Sequence, residues 1–187
     1  MDRYHLWLFL HVVAAIIWLG AGFLLMVLGT LAHRRRSPEA VGRVVEDTAR
    51  LGPTYFIPAS LAVLVFGILL VVDGPWSFSD VWVTVGLVGF AITFYTGLFE
   101  LKPRSERIAA LVEKEQGMTP EAYAESLKLL TIARIDYVVL FLVVFDMTFK
   151  PTSDDPWILA LIVAVLVVAV GLVLSRVRSI KIEPFHS

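Results

Sequence analysis

Five apolar runs, each long enough to cross a bilayer, constrain this 187-residue chain more than any other feature. A hydrocarbon core about 30 Å thick needs about 20 residues of helix at ~1.5 Å per residue. The runs cover about residues 4–32, 54–72, 81–101, 132–149 and 157–174. A backbone surrounded by lipid must satisfy its own hydrogen bonds, so each run is expected to be a helix. The chain is 58% hydrophobic and only 18% charged. A soluble domain of this size cannot hide so much apolar side chain. The expected fold is all-α: one transmembrane domain over residues 1–187, a polytopic bundle of five transmembrane helices.

Charge along the chain sets the expected orientation. Five arginines, from Arg34 to Arg50, follow the first run. Six basic residues, from Lys102 to Arg134, lie between the third and fourth runs or just inside the latter. Arg176, Arg178 and Lys181 follow the fifth. Fourteen of the sixteen Lys and Arg thus fall on one side, leaving Arg3 and Lys150 for the other. The positive-inside rule makes the fourteen-residue side cytoplasmic, with the N-terminus outside and the C-terminus in the cytoplasm of a bacterial inner membrane. Trp7, Trp76, Trp82 and Trp157 then form an outer aromatic belt. The first run is too long for the core of a signal peptide, so no cleavable leader is expected.

Two connections carry helix signals of their own. Ser37-Pro38-Glu39 and Thr119-Pro120-Glu121 each combine an N-cap, a proline at the first helical position and an acid in the first turn. Amphipathic cytoplasmic segments are expected over about 38–51 and 104–131, either on the membrane surface or as extensions of helices below it. Two Lys-Pro pairs, at Lys102 and Lys150, read as helix stops.

Several chemistries are excluded or left without support. With no cysteine in the chain, disulfides, thiolate metal sites and covalent haem attachment are out. There is no phosphate-binding glycine loop, no H-E-x-x-H and no nucleophile elbow. Nothing points to nucleic acid. Four scattered His and four scattered Met give no copper cluster.

Ionisable groups within a membrane are costly and therefore candidates for function. His11 is the strongest, about 10 Å below the outer end of the first helix. Tyr4, Trp7, His11, Ala15, Trp18, Gly22 and Gly29 share one helical face at steps of three, four or seven. An imidazole beside indoles and small residues suits a b-type haem site; it also suits a histidine that merely bonds a neighbouring helix. Met147, near the depth of His11 on the fourth helix, is a candidate second axial ligand or a packing residue. Arg134 and Asp136 are expected to form an interfacial ion network with Glu100; the alternative is a proton path or a site for a substrate anion. Asp146 is expected to face outer water or to pair with Lys150 four residues on. His5 and His33 read as interfacial, and His186 has no assigned role.

The residues Tyr4-His5-Leu6-Trp7-Leu8-Phe9-Leu10-His11 and Trp18-Leu19-Gly20-Ala21-Gly22-Phe23, with Met147-Thr148-Phe149-Lys150-Pro151, resemble the bacterial integral membrane family called domain of unknown function 2269. The spacing of His11, Trp18 and Gly20 is also similar to HemJ-type protoporphyrinogen oxidases and to the membrane domain of copper-resistance D proteins. The HemJ resemblance implies haem b with His11 as ligand; on the reading of the residues themselves, Trp18, Gly20 and Gly22 would pack the ring and Met147 would be a candidate second ligand. The intramembrane lysine of those oxidases is missing here, which argues against porphyrinogen oxidation. The alternative is a non-catalytic accessory subunit of a larger membrane complex, or a homo-oligomer, with the glycine face joining helices.

Overall fold

A computed structural model describes residues 2–180 and 182. Lys181 and His186 lie outside the described residues. Among the described residues every regular element is helical. Helix α1 spans Arg3–Arg34, and the Asp2 carboxylate accepts a hydrogen bond from the Tyr4 amide at 3.2 Å. It is followed by α2 (Pro38–Leu51), α3 (Ile57–Asp73), α4 (Val81–Tyr95), α5 (Lys102–Lys114), α6 (Pro120–Phe149) and α7 (Pro156–Ser179).

Among the described residues, four helical stretches are long and apolar enough to cross a membrane: Arg3–Arg34, Pro38–Asp73, Val81–Lys114 and Pro156–Ser179. Helix α6 is 30 residues long but carries Arg134, Asp136 and Asp146. It is central to the packing: α1, α4, α5 and α7 all lie against it, and α1 also lies along α3.

Two of the stretches are longer than the apolar runs because an amphipathic segment continues each of them, one of the two placements expected. Helices α2 and α3 are joined by a π-helical turn, Gly52–Phe56. Helices α4 and α5 are joined by another, Thr96–Leu101. Each turn precedes a proline, Pro58 or Pro103. A proline ring clashes with the carbonyl four residues back, which is Thr54 or Phe99, inside the wider turn in both cases. The extra residue in a π turn relieves that clash without ending the helix. Lys102-Pro103 is therefore not the helix stop expected from sequence. Lys150-Pro151 is one. Lys150 adopts a left-handed conformation (φ 48°) and its amide donates to the Asp146 carbonyl at 2.7 Å, closing α6.

The segment expected over 104–131 proves to be two helices, parted near residues 115–119. Gln116 takes the left-handed conformation there. Both expected N-caps form: Ser37 Oγ accepts from the Ala40 amide and Thr119 Oγ1 from the Ala122 amide. The amphipathic segments extend the long helices and pack on one another. Val45, Ile108, Ala122 and Leu129 make a buried core at this arginine-rich end, flanked by Leu101, Leu111, Val112 and Met118. Val41 and Val45 of α2 lose essentially all solvent contact, each contributing about 1.5–3 kcal/mol if water is the alternative.

The opposite, tryptophan-rich end is closed by Val71, Trp82 and Val83, with Trp76 and Met147 packed against them. Trp76 and Trp82 meet edge to face, and Lys150 Nζ lies 4.8 Å from the Trp76 ring centre. Trp7 donates to Asp73 at 2.9 Å and stacks on Phe66. Trp157 is left exposed on α7. In the turn before α7, the Thr152 amide and hydroxyl both bond Asp155, holding its carboxyl below the ordinary range.

Candidate functional site

Two cavities lie one above the other inside the bundle. The larger, about 290 Å³, is at the tryptophan-rich end and is lined from α1, α3, α4 and α6. Its walls include Tyr4, His11, Ala15, Trp18, Trp82 and Met147. The smaller, about 150 Å³, lies toward the arginine-rich end, and Trp18 borders both.

His11 projects from α1 toward α3. Its Nδ1 lies 2.9 Å from the Val63 carbonyl oxygen. A carbonyl only accepts, so Nδ1 carries the proton in this contact and neutral Nε2 is left as a lone-pair donor. Gly67, one turn further along α3, makes this approach feasible: a Cβ there would stand 3.1 Å from His11 Cε1 and 3.3 Å from Nδ1. A metal-binding histidine has the same arrangement, one ring nitrogen anchored to a backbone carbonyl and the other free.

Met147 reaches the same cavity from α6. Its terminal methyl occupies the space that a Cβ on Gly86 of α4 would need, so α4 and α6 come together at that glycine. The structure thus brings His11, Trp18 and Met147 to one cavity. It separates the two glycines from them. Gly22 faces the Tyr137 hydroxyl of α6 and the Phe56 ring, and lines the smaller cavity. Gly20 is exposed, and a Cβ added to it would have nothing within 4 Å. Trp7 turns to Asp73 and Phe66 and does not line either cavity.

The acidic residues differ most from expectation. Asp146 faces neither water nor Lys150. It is 0% exposed, and neither carboxylate oxygen has a hydrogen-bond partner among the described residues. Lys150 sits over the indoles instead. The reason is rotational: one position from Met147 on α6, Asp146 falls on the face that meets Gly86, whose added Cβ would lie 3.6 Å from Asp146 Oδ2. The expected network of Arg134, Asp136 and Glu100 does not form either. Arg134 donates to Thr30 Oγ1 of α1 at 3.2 Å. Glu100 pairs with Arg104 at 3.1 Å, and Arg104 also approaches Glu125 at 3.6 Å. Asp136 turns into the bundle, where it borders the smaller cavity and its Oδ1 is buried without a partner. The Arg104 pairs are half-exposed, so Arg104→Ala is expected to cost less than about 1 kcal/mol. A thermal melt within a few degrees of wild type would bear this out.

Sequence reasoning does not single out Val63, Gly67, Trp82 or Gly86 as site residues. The two glycines are the available signal, since each interrupts an apolar helix at a cost unless something packs close. His33 bonds the Tyr123 hydroxyl at 2.7 Å, and His5 lies 3.3 Å from Asp2, so neither enters the bundle interior. No group of three or more His, Cys, Asp and Glu able to hold a metal occurs among the described residues. A haem iron, held by four ring nitrogens, asks the protein for only one or two axial ligands.

No curated protein and no solved structure matches this chain. The first-helix similarity to HemJ-type oxidases and copper-resistance D proteins therefore rests on the spacing of His11, Trp18 and Gly20 alone. A family profile, that of the predicted integral membrane proteins called domain of unknown function 2269, matches residues 5–151. That range runs from the first turn of α1 through the Lys150-Pro151 stop and takes in the lining of both cavities except Tyr4, and the chain belongs to this family of integral membrane proteins.

Proposed function

We propose that the chain crosses a bacterial inner membrane five times, with its N-terminus outside, and holds haem b in the larger cavity through His11. Helix α6 adds a crossing to the four apolar stretches and is the fourth of the five in chain order. Its 30 residues lie among the other long helices, and its charged groups Asp136 and Asp146 turn inward. Intramembrane charges are tolerated on such inward faces. The arginine-rich end, with the packed core of α2, α5 and α6, is the cytoplasmic end by the positive-inside rule.

The observation that carries the haem reading is His11: Nδ1 fixed on Val63 and Nε2 left to a largely apolar cavity. Met147 offers a thioether in the same cavity as a second ligand, Trp18 and Ala15 offer ring-packing surface, and Lys150 a cation for a propionate. At about 290 Å³ the cavity falls just short of the range for drug-sized ligands, roughly 300–1,000 Å³, so its walls must part to admit a macrocycle. Bound haem supplies one-electron chemistry, tuned by its axial ligands. The chain's own part is to present Nε2 unprotonated and to keep water from it, which suits a redox or haem-handling role.

Two measurements test this. Protein extracted from membranes in mild detergent is expected to show a Soret band that shifts on reduction. A colourless preparation that takes up no added haem and co-purifies stoichiometrically with another membrane complex would favour an accessory subunit instead. For topology, reporter tags in the 34–50 and 73–80 connections are expected to report opposite compartments. The same compartment for both would overturn the five-crossing arrangement.

A further inference from the structure

The smaller cavity has a chemistry of its own. It is bounded by both π-helical turns, through Gly52 and Phe56 on one side and Gly97, Leu98 and Leu101 on the other. Such turns gather at functional sites because they disturb the regular ladder of backbone hydrogen bonds. Asp136 borders the cavity from α6, with Oδ1 buried and unpartnered. Three nearly inaccessible hydroxyls also line it: Ser60, Thr93 and Ser105, at 2%, 1% and 1% exposure.

The direction of the hydroxyl hydrogen bonds decides which ligands fit. Ser60 donates to the Ile57 carbonyl at 2.9 Å, Thr93 to Phe90 at 3.0 Å and Ser105 to Lys102 at 2.8 Å. Tyr137, also on the wall, donates to Leu19 at 3.4 Å. Each hydroxyl has spent its one hydrogen on a carbonyl and keeps only lone pairs. The hydroxyl and carboxylate side chains of this cavity therefore offer acceptors, and its donors are Lys102 and the indole N–H of Trp18. Acceptors attract cations and repel anions.

We propose that this cavity is a site for one monovalent inorganic cation, a proton or Na⁺, with the Asp136 carboxylate as its charged ligand. A single carboxylate balances a single positive charge. A volume of about 150 Å³ has room for a small ion and a few waters, at about 30 Å³ each. It is too small for a lipid or a macrocycle. An unpaired carboxylate in a membrane interior must find a counter-charge or a proton. The charged groups nearby have other partners. Lys102 Nζ lies 3.3 Å from Glu106, and Arg134 is turned to Thr30. Lys102 and Tyr137 are the other titratable side chains on the cavity wall.

The test uses the full-length protein purified in detergent, with Asp136→Asn as an isosteric, uncharged variant. Two probes separate the ions: radioactive Na⁺ in equilibrium dialysis, and the infrared carbonyl stretch of a protonated carboxyl group at neutral pH in sodium-free buffer. The wild type is expected to bind about one Na⁺ per chain, or to show a carboxylic-acid band. Asp136→Asn is expected to weaken Na⁺ binding at least tenfold, or to lose that band. Ser60→Ala leaves the carboxyl in place and guards against misfolding of the first variant. It is expected to weaken Na⁺ binding several-fold or to shift the band. Wild-type protein with neither Na⁺ binding nor a protonated-carboxyl band would overturn the proposal. So would a signal identical in wild type and both folded variants.

Discussion

His11→Ala is expected to strip haem from the purified protein, lowering retained Soret absorbance at least about tenfold while elution volume and helix content stay unchanged. Loss of an outer-shell partner alone costs about 10–100-fold in metal affinity, and loss of the axial ligand itself should not cost less. The variant keeps its fold because the imidazole makes one hydrogen bond, to Val63, and borders a cavity on its other side. His11→Gly with added free imidazole is expected to restore part of the absorbance, since the ligand can then diffuse into the vacated space. Gly67→Ala keeps the imidazole but crowds it, because the new methyl would stand 3.1 Å from Cε1. Intermediate haem retention with a shifted band is expected. If His11→Ala retained haem at the wild-type level, the axial role would belong to another residue.

The second large effect concerns two glycines two positions apart on α1. Gly22→Leu is expected to cost about 3 kcal/mol or more, the upper part of the range for overpacking. A Cβ at Gly22 would overlap the Tyr137 hydroxyl, and Phe56 Cε1 closes the other side at 3.3 Å. For a chain of this length that is a fall of about 6–12 °C in the detergent melting temperature. Gly20→Leu meets nothing within 4 Å and points to the exposed side of α1. Its melting temperature is expected to stay within about 2 °C of wild type, since exposed substitutions seldom exceed ±0.5 kcal/mol. Equal losses in both variants would mean that α1 is turned differently against α6.

That pair of glycines also shows where sequence reading reaches its limit. Both sit in the same stretch, Trp18-Leu19-Gly20-Ala21-Gly22, and both read there as ring-packing residues. On a helix they lie about 200° apart, at 3.6 residues per turn. In a water-soluble helix the polar face would have told them apart. In lipid both faces are apolar, and the periodicity that distinguishes inside from outside is lost. The soluble-like end behaves differently. Val41, Val45, Ser37 and Thr119 are legible because water separates the faces of α2 and defines the caps. Asp146 fails for the first reason. Its neighbour Lys150 suggests an i,i+4 pair, but the turn of α6 places the carboxylate on Gly86 and the ammonium over Trp76.

The sequence by itself determined an all-helical membrane protein, the place of each apolar run and the sorting of its charges. Those properties follow from length, hydropathy and the cost of an unpaired peptide group in hydrocarbon, all of which are local. Tertiary structure decided which side chains share a cavity, because that depends on how neighbouring helices rotate and how close their glycines let them come. It also carried α4 on into α5 past Pro103, which looks like a stop, by widening the turn ahead of it. His11 could be singled out from the order of residues; the carbonyl that orients it comes from Val63, fifty-two positions away, and only packing could bring the two together.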